Sequence, residues 1–228
     1  TTETGADISV CGYFTSYTNS EKPSCSGGMT AVYDREEALK LILDDKVIKS
    51  YLVDKLYNRK VIVADQPGSY YYEDYATLFK WFDAADRVSV VETPMYHYRQ
   101  RKGSTDHDGD PKKKYHFFLA EKERCSYLTR NGIFPELHPA FAAKVVRVGL
   151  REIKGIVRKC PPGDVSDHYI KCIKSELGAF MPVRIGSLGF FRWIVLKLLF
   201  LCPDIYFFMM KISIRGKRKV RNAVNLYD

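Results

Sequence analysis

Residues 70–79 read Tyr-Tyr-Tyr-Glu-Asp-Tyr-Ala-Thr-Leu-Phe, and residues 96–104 read Tyr-His-Tyr-Arg-Gln-Arg-Lys-Gly-Ser. In the first segment, apolar residues follow Tyr75 at offsets of three, four and seven, which is one face of an α-helix. Glu73 and Asp74 then lie in the first turn, where backbone N–H groups stabilise carboxylates. The pair therefore has two interpretations: helix-start electrostatics, or a site of acid–base chemistry.

The second segment extends a predicted β-strand into a basic loop. Residues 87–91 are rich in β-branched side chains, and after Thr93-Pro94 a second extended run is predicted, whose alternation places His97 and Arg99 on one face, with Arg101 continuing it. Carboxylates beside a cationic loop suit proton transfer next to a bound phosphate. A solvated basic edge is the alternative interpretation.

The organisation of the chain changes near residue 112. Strands and helices alternate before it, which predicts an α/β fold, and amphipathic segments follow it, which predicts a mainly helical region. The predicted strands are 8–13, 30–33 and 87–91, and the predicted helices are 35–44, 51–57, the helix from Glu73, 115–131, 139–158 and 166–177.

Composition narrows the class of protein. The 228 residues are 46% hydrophobic, which is enough for one core and an appendage, and there is no repeat or disordered composition. The six cysteines lack Cys-x-x-Cys spacing, so neither a zinc site nor a disulfide framework is expected, and a reducing cytosol is the simpler setting. They are Cys11, Cys25, Cys125, Cys160, Cys172 and Cys202.

The carboxy-terminal segment is apolar and then basic. Arg192, Lys197 and Pro203 interrupt the apolar run, which argues against a spanning helix, and residues 211–221 contain no acid. Such helices either lie on an anionic cytoplasmic leaflet or pack into the protein's own core. The candidate membrane contacts are Phe190, Phe191, Trp193, Lys217, Arg218 and Lys219.

The formal net charge of +9 also raises the possibility of nucleic-acid binding. The aromatic residues, however, lie in apolar helical runs, and no nucleic-acid-binding motif is visible. Nucleic acid is therefore not an expected partner.

Four blocks in order resemble the bacterial family 2 glycosyltransferases, which are GT-A (Rossmann-like) enzymes that build capsules, exopolysaccharides and lipopolysaccharide. No single block is specific, but the ordered set between Ala6 and Ser104 is. The blocks are Ala6-Asp-Ile-Ser-Val-Cys-Gly-Tyr-Phe14, Ser50-Tyr-Leu-Val-Asp-Lys-Leu-Tyr57, Tyr72-Glu-Asp74 and Pro94-Met-Tyr-His-Tyr-Arg-Gln-Arg-Lys-Gly-Ser104.

The resemblance implies roles for particular residues. Asp74 would be the catalytic base, and Glu73 would orient it or bind the acceptor. Arg99, Arg101 and Ser104 would offset the charge of the departing nucleoside diphosphate, which suits planar guanidinium groups.

Lys55 and His97 are further candidates, each with a structural alternative. Lys55 matches a family position that often follows a tryptophan, but Val53 and Asp54 precede it here. A structural role for Lys55 is therefore preferred. His97 could touch a metal, although a lone histidine between tyrosines is more often packed or solvent-facing.

The resemblance implies a divalent metal, Mn²⁺ or Mg²⁺, held by an Asp-x-Asp motif in an amino-terminal half. The chain opens at Thr1, at a place that resembles the point just after that motif, so it is expected to be a carboxy-terminal part without the metal ligands. Its acid cluster, Asp106-His-Asp-Gly-Asp110, is expected to be a surface turn, because it lacks the spacing of a calcium loop.

The expected function is transfer of a sugar from a nucleotide-sugar donor to a glycan or lipid-linked acceptor, with inversion, at the cytoplasmic face of a bacterial membrane. The segment 1–111 would be the acceptor-side part of the GT-A domain, 112–186 a helical extension, and 187–228 a possible membrane-surface attachment. The chain alone is expected to be inactive. A non-catalytic membrane-surface or interaction module is the alternative.

Overall fold

The computed structural model describes residues 4–25, 30–64, 71–100 and 109–224, with side chains described as far as residue 213. The fold is mixed α/β with a curled sheet. The chain divides into two compact units, unit 1 (Thr1–His107) and unit 2 (Asp108–Asp228). The roles of the segments 1–111, 112–186 and 187–228 stay predictions.

Unit 1 is built on a five-stranded sheet with the order β2-β1-β5-β3, in which β4 also pairs with β1. Strands β1 and β5 are parallel neighbours, and the other pairs are antiparallel. A parallel pair requires a long crossover, which the intervening helices provide. The strands are β1 (Ile8–Ser16), β2 (Glu21–Pro23), β3 (Thr30–Asp34), β4 (Lys55–Tyr57) and β5 (Arg87–Arg99).

Two helices complete the core of unit 1: α1 (Arg35–Asp44) and α2 (Glu73–Asp83). The predicted bounds of α1 are confirmed. Its start is fixed by a capping box in which Asp34 accepts a hydrogen bond from the Glu37 backbone N–H and Glu37 accepts one from that of Asp34. The buried side chains include Ile8, Val10, Leu39, Ile42, Leu78, Phe79, Phe82 and Val88.

The predicted helix at 51–57 is wrong, because its last residues form β4. Strand β4 pairs antiparallel with Ile8–Val10, and a seven-residue helix has too few internal hydrogen bonds to compete with that pairing. The chain before β4 forms turns instead.

The two extended runs around Pro94 form one strand, β5, where the sequence predicted two. The β1–β5 register shifts on either side of Gly12, which faces Pro94. A Cβ at Gly12 would lie 2.3 Å from Cys25 Sγ and 3.2 Å from Pro94 Cα. A larger residue at position 12 would therefore force both neighbours to shift, which favours glycine at this irregularity.

The described residues of unit 2 contain helices and no strand. The three predicted amphipathic helices are confirmed, with ends displaced by up to four residues. The helices are α3 (Pro111–Arg130), α4 (His138–Lys159), α5 (Asp164–Leu177), α6 (Ile185–Leu188), α7 (Phe190–Leu201) and α8 (Pro203–Val224). Phe118, Val145, Ile153 and Ile173 are fully buried in their shared core.

Helices α7 and α8 bury only part of their apolar surface. Leu196, Leu199 and Tyr206 belong to the core of unit 2, whereas Phe191 and Phe208 are exposed. Among the described residues, none of the helices combines the length and the apolar character that a membrane crossing needs.

Candidate functional site

The predicted carboxylate pair lies at the start of α2. Tyr72, the residue before the helix, has a φ of +66°, and Glu73 and Asp74 follow it in the first turn. Both side chains are half-buried. Asp74 Oδ1 accepts a hydrogen bond of 2.7 Å from the Tyr75 backbone N–H. The next residues, from Tyr75 to Phe79, are buried and anchor the carboxylates to the core.

Within electrostatic range of this helix start, Lys55 forms a buried ion pair with Asp54. The Lys55 side chain is 0% exposed, and its Nζ donates to Asp54 Oδ1 at 2.5 Å. It also donates to the backbone oxygens of Lys49 and Tyr51, each at 2.7 Å. All three ammonium hydrogens therefore have acceptors inside unit 1, an arrangement that fits the structural role preferred for Lys55.

In this pair, burial and the neighbouring opposite charge shift each pKa in opposite directions. Burial lowers the pKa of Lys55, and the carboxylates of Asp54, Asp45 and Asp74 oppose that shift. Burial raises the pKa of Asp54, and Lys55 opposes that shift. The influence of Asp74 on Lys55 places the first turn of α2 within electrostatic range of β4.

Tyr57 is a second group that Asp74 affects. Burial raises the pKa of its phenol, and the charges of Asp54 and Asp74 raise it further. The hydroxyl donates to the Leu52 carbonyl oxygen at 3.2 Å, and the ring packs edge-on against Trp81. Tyr57 therefore remains a neutral hydrogen-bond donor.

The sequence alone indicated no role for Asp54 or Tyr57. The signal that could have identified them is the Asp-Lys-Leu-Tyr spelling of residues 54–57, because alternation in a strand places Lys55 and Tyr57 on one face. Reading this segment as a helix concealed that relationship.

Arg99 is the last residue of β5, exposed and opposite Ser16 of β1. The other two predicted phosphate contacts, Arg101 and Ser104, lie outside the described residues. The structure therefore places one guanidinium group at the end of β5 and leaves the basic loop a prediction.

His97 belongs to a surface cluster on the same strand. Its Nδ1 lies 3.0 Å from Glu21 Oε1, which also accepts a 2.6 Å hydrogen bond from Ser16 Oγ. Its ring stacks on Phe14 with a centroid separation of 4.8 Å. These contacts link β1, β2 and β5 and give His97 a structural partner.

A cavity of about 500 Å³ lies beside β1, β4 and β5. Ser9 and Ser89 hydrogen-bond to each other at 2.8 Å in its wall. The Cys11 thiol donates to the Asp54 carbonyl oxygen at 3.3 Å, and burial raises its pKa. Cys11 therefore stays a neutral thiol and is poorly suited to act as a nucleophile.

The described residues do not supply a ligand set for the Mn²⁺ or Mg²⁺ that the resemblance implies. Within ranges 4–25, 30–64, 71–100 and 109–213, no group of three or more His, Cys, Asp or Glu side chains could hold a metal ion. Asp110, the last residue of the acid cluster, caps α3 by accepting a hydrogen bond from the Lys112 backbone N–H at 2.8 Å. The first three residues of that cluster lie outside the described residues.

The candidate membrane contacts differ in exposure. Phe190 and Phe191, at the start of α7, are 66% and 75% exposed. Trp193 is half-buried, with Lys197 Nζ 5.3 Å from its ring centroid. The backbone of residues 217–219 belongs to α8, but the side chains of Lys217, Arg218 and Lys219 lie outside the described part of the structure.

No protein-family model and no curated protein sequence matches the chain. The function must therefore be argued from the residues and their geometry.

Proposed function

We propose that this chain is the base-bearing part of an inverting family 2 glycosyltransferase with a GT-A fold. It transfers a sugar from a nucleotide-sugar donor to a glycan or lipid-linked acceptor in bacterial surface polysaccharide synthesis, at the cytoplasmic face of the membrane. The observation that supports this most is the position of Asp74. It is half-buried at a helix start, within electrostatic range of the buried Lys55–Asp54 ion pair, in the unit whose strand β5 ends at Arg99.

Asp74 acts as the general base. Its carboxylate accepts the proton of an acceptor hydroxyl while that oxygen forms a bond to the anomeric carbon of the donor sugar. The bond between the anomeric carbon and the diphosphate oxygen breaks, and the electron pair leaves with the nucleoside diphosphate. Attack opposite the leaving group inverts the anomeric configuration. Glu73, one residue earlier, orients the base or binds the acceptor.

The positive groups near the basic loop stabilise the leaving group. Arg99, with Arg101 and Ser104, offsets negative charge on the departing diphosphate, and guanidinium groups bind phosphate oxygens in pairs. A divalent metal, when bound, would balance the same charge. The described residues supply no ligand set for it, so no step is assigned to a metal.

The test is Asp74→Asn in the protein expressed from its complete reading frame. Removing a general base should lower kcat for sugar transfer by about 10²- to 10⁴-fold. Donor binding, measured by titration calorimetry, should change little, because the base acts on the acceptor. Asp44→Asn is the matched control, since Asp44 is an exposed carboxylate at the end of α1.

Two results would contradict the proposal. If Asp74→Asn transfers sugar at the original rate, Asp74 is not the base. If the complete protein binds no nucleotide sugar, the alternative of a non-catalytic membrane-surface or interaction module takes precedence, and the exposed aromatic residues of α7 then become its main functional feature.

A further inference from the structure

Unit 2 contains an apolar cavity with a basic rim, which we call the basic-rimmed cavity. It has a volume of about 750 Å³ and is formed by α4, α7 and α8. Val195, Leu198 and Met210 are among its apolar lining residues. A cavity of this size is within the range that holds a small ligand.

All the charged residues that line this cavity are cationic. They are Arg147, Arg151 and Lys154 on α4 and Arg192 on α7. Tyr206, which also lines the cavity, has its pKa raised by burial to about 12 and so adds no negative charge at neutral pH. The electrostatic character of the cavity therefore suits an anion.

Two of these cations are available to a ligand. Arg147 donates to the Ser187 carbonyl oxygen at 3.3 Å, and Arg151 donates to Glu152 Oε1 at 2.7 Å. The side chains of Lys154 and Arg192, by contrast, form no hydrogen bond or ion pair in the part of the structure whose side chains are described. Within that part, no acid neutralises their positive charges.

The apolar lining continues to the surface. Phe190, Phe191 and Met209 line the cavity and are 66%, 75% and 53% exposed. Exposed side chains of this size are costly to hydrate when they lie together. The cavity thus combines unpaired cations with an apolar lining that extends to the exposed surface of unit 2.

We propose that the basic-rimmed cavity holds one anionic phospholipid, with the phosphate at Lys154 and Arg192 and an acyl chain against Leu198 and Met210. The combination of charge and apolar surface matches an amphiphile. This is a binding site for a single lipid molecule, which is different from adsorption of a helix on a membrane surface. It involves unit 2 alone and does not depend on the proposed sugar transfer.

Two other occupants fit these observations less well. Nucleic acid binds along a basic groove with stacking aromatic residues, whereas these cations border a cavity whose lining also includes aliphatic residues such as Val195 and Leu198. A second copy of the chain, related by a two-fold axis, would bring the same patch against itself. The unpaired cations Lys154 and Arg192 would then face like charges.

Native mass spectrometry of the 228-residue chain tests the proposal. The probe is dihexanoyl phosphatidylglycerol, a short-chain anionic lipid, and the comparison is dihexanoyl phosphatidylcholine, which has no net charge. One phosphatidylglycerol should bind to each chain, at least about fivefold more tightly than phosphatidylcholine, because a single unpaired cation adds roughly this factor for an anionic lipid.

The charge variant is Lys154→Gln/Arg192→Gln. It should weaken phosphatidylglycerol binding about 30-fold, since each basic residue contributes a severalfold factor. The matched control, Lys171→Gln/Arg184→Gln, removes two exposed cations of unit 2 that do not line the cavity. It should change binding by less than about twofold if the effect is local.

A second variant keeps the test decisive if the charge variant fails to fold. Ser213 lies at the exposed edge of the cavity, so Ser213→Trp should obstruct the acyl chain and weaken phosphatidylglycerol binding while leaving the helical circular-dichroism spectrum unchanged.

Several results would overturn the proposal. Equal affinity for both lipids would exclude a role of the cations in binding. An equal loss of phosphatidylglycerol affinity in the two double variants would show that the attraction depends on net charge and not on Lys154 and Arg192. Inorganic phosphate binding as tightly as the lipid would reduce the site to a phosphate site. An RNA oligonucleotide that competes with the lipid, or a dimer that excludes it, would assign the surface to another partner.

Discussion

Lys55 and Asp54 form a buried ion pair that stabilises the fold only when both partners are present. Taking two charges out of water costs free energy that their attraction and hydrogen bonds must offset. Here Lys55 also donates to two backbone oxygens, so no ammonium hydrogen lacks an acceptor. The pair can therefore fix the position of β4 against the loop that follows α1.

Replacing one partner should be more harmful than replacing both. Lys55→Met leaves the Asp54 carboxylate buried without its cation, and we expect the free energy of unfolding to fall by about 3–5 kcal/mol. Asp54→Asn/Lys55→Met should recover part of that loss. Urea denaturation followed by circular dichroism measures both values.

Lys46→Met is the control for this prediction, because Lys46 pairs with Asp44 at 3.0 Å while both side chains are exposed. Such a pair contributes about 0–1 kcal/mol. If Lys55→Met and Lys46→Met have the same effect, the buried pair does not stabilise unit 1.

At the scale of the elements, Asp7 connects the starts of β1 and β5 with the end of β4. Its carboxylate accepts a hydrogen bond from the Asp86 backbone N–H at 3.0 Å and pairs with Lys60 Nζ at 2.9 Å. Its backbone oxygen accepts a hydrogen bond from the Asn58 N–H. Burial opposes ionisation of Asp7, but Lys60 and the backbone N–H groups of residues 86 and 87 outweigh it, so its pKa is lowered.

This lowered pKa predicts a specific response to acid. A carboxyl group whose folded-state pKa lies below its unfolded value stabilises the fold above about pH 4, and that stabilisation disappears as the pH falls through the folded-state value. Asp7→Asn should therefore reduce the free energy of unfolding by about 2 kcal/mol at pH 7. The difference from the original protein should shrink as the pH falls below about 4, the unfolded-state pKa of an aspartate.

Urea denaturation between about pH 7 and pH 2 measures this convergence. Asp44→Asn should instead give a curve parallel to that of the original protein, since Asp44 is exposed at the end of α1. A constant difference between Asp7→Asn and the original protein at every pH would show that the charge of Asp7 is not the cause.

The success of the sequence predictions also varies by element. Helix α1 and the start of α2 were predictable because a capping box and a strong apolar period act locally. Strand β4 was not, because three residues become a strand only when β1 supplies the hydrogen bonds. The same limit applies to the candidate site: Glu73 and Asp74 follow from a local pattern, whereas the proximity of Asp74 to Lys55 depends on the tertiary fold.

At the scale of the whole molecule, each unit has its own buried core and its own tryptophan. Trp81 belongs to α2 in unit 1, and Trp193 belongs to α7 in unit 2. These are the two tryptophans of the sequence. Variants with a single tryptophan can therefore report on one unit at a time.

A substitution that leaves a void in the core of one unit should shift only the unfolding transition reported by that unit's tryptophan. Phe118 is fully buried in unit 2, so Phe118→Ala should destabilise that unit by about 3–5 kcal/mol. In a Trp81→Phe background, the urea midpoint reported by Trp193 should fall. In a Trp193→Phe background, the midpoint reported by Trp81 should stay within error.

The reverse substitution is the control for the two-unit interpretation. Phe79 is fully buried in unit 1, so Phe79→Ala should shift the transition of Trp81 and leave that of Trp193 in place. If either substitution shifts both transitions equally, the two units unfold together as one cooperative structure.

The parallel pairing of β1 with β5 has a consequence for how quickly the chain folds. Ser9 and Ser89, whose hydroxyls meet across these strands, are separated by 80 positions in the sequence. Closing so long a loop costs entropy before any strand contact offsets it, so folds rich in such distant pairings reach the native state slowly. The α3–α4 hairpin of unit 2 closes over a short connection. During synthesis on the ribosome, β1 therefore cannot pair with β5 until β5 has been made, and in that interval this edge of β1 is unpaired and prone to aggregation.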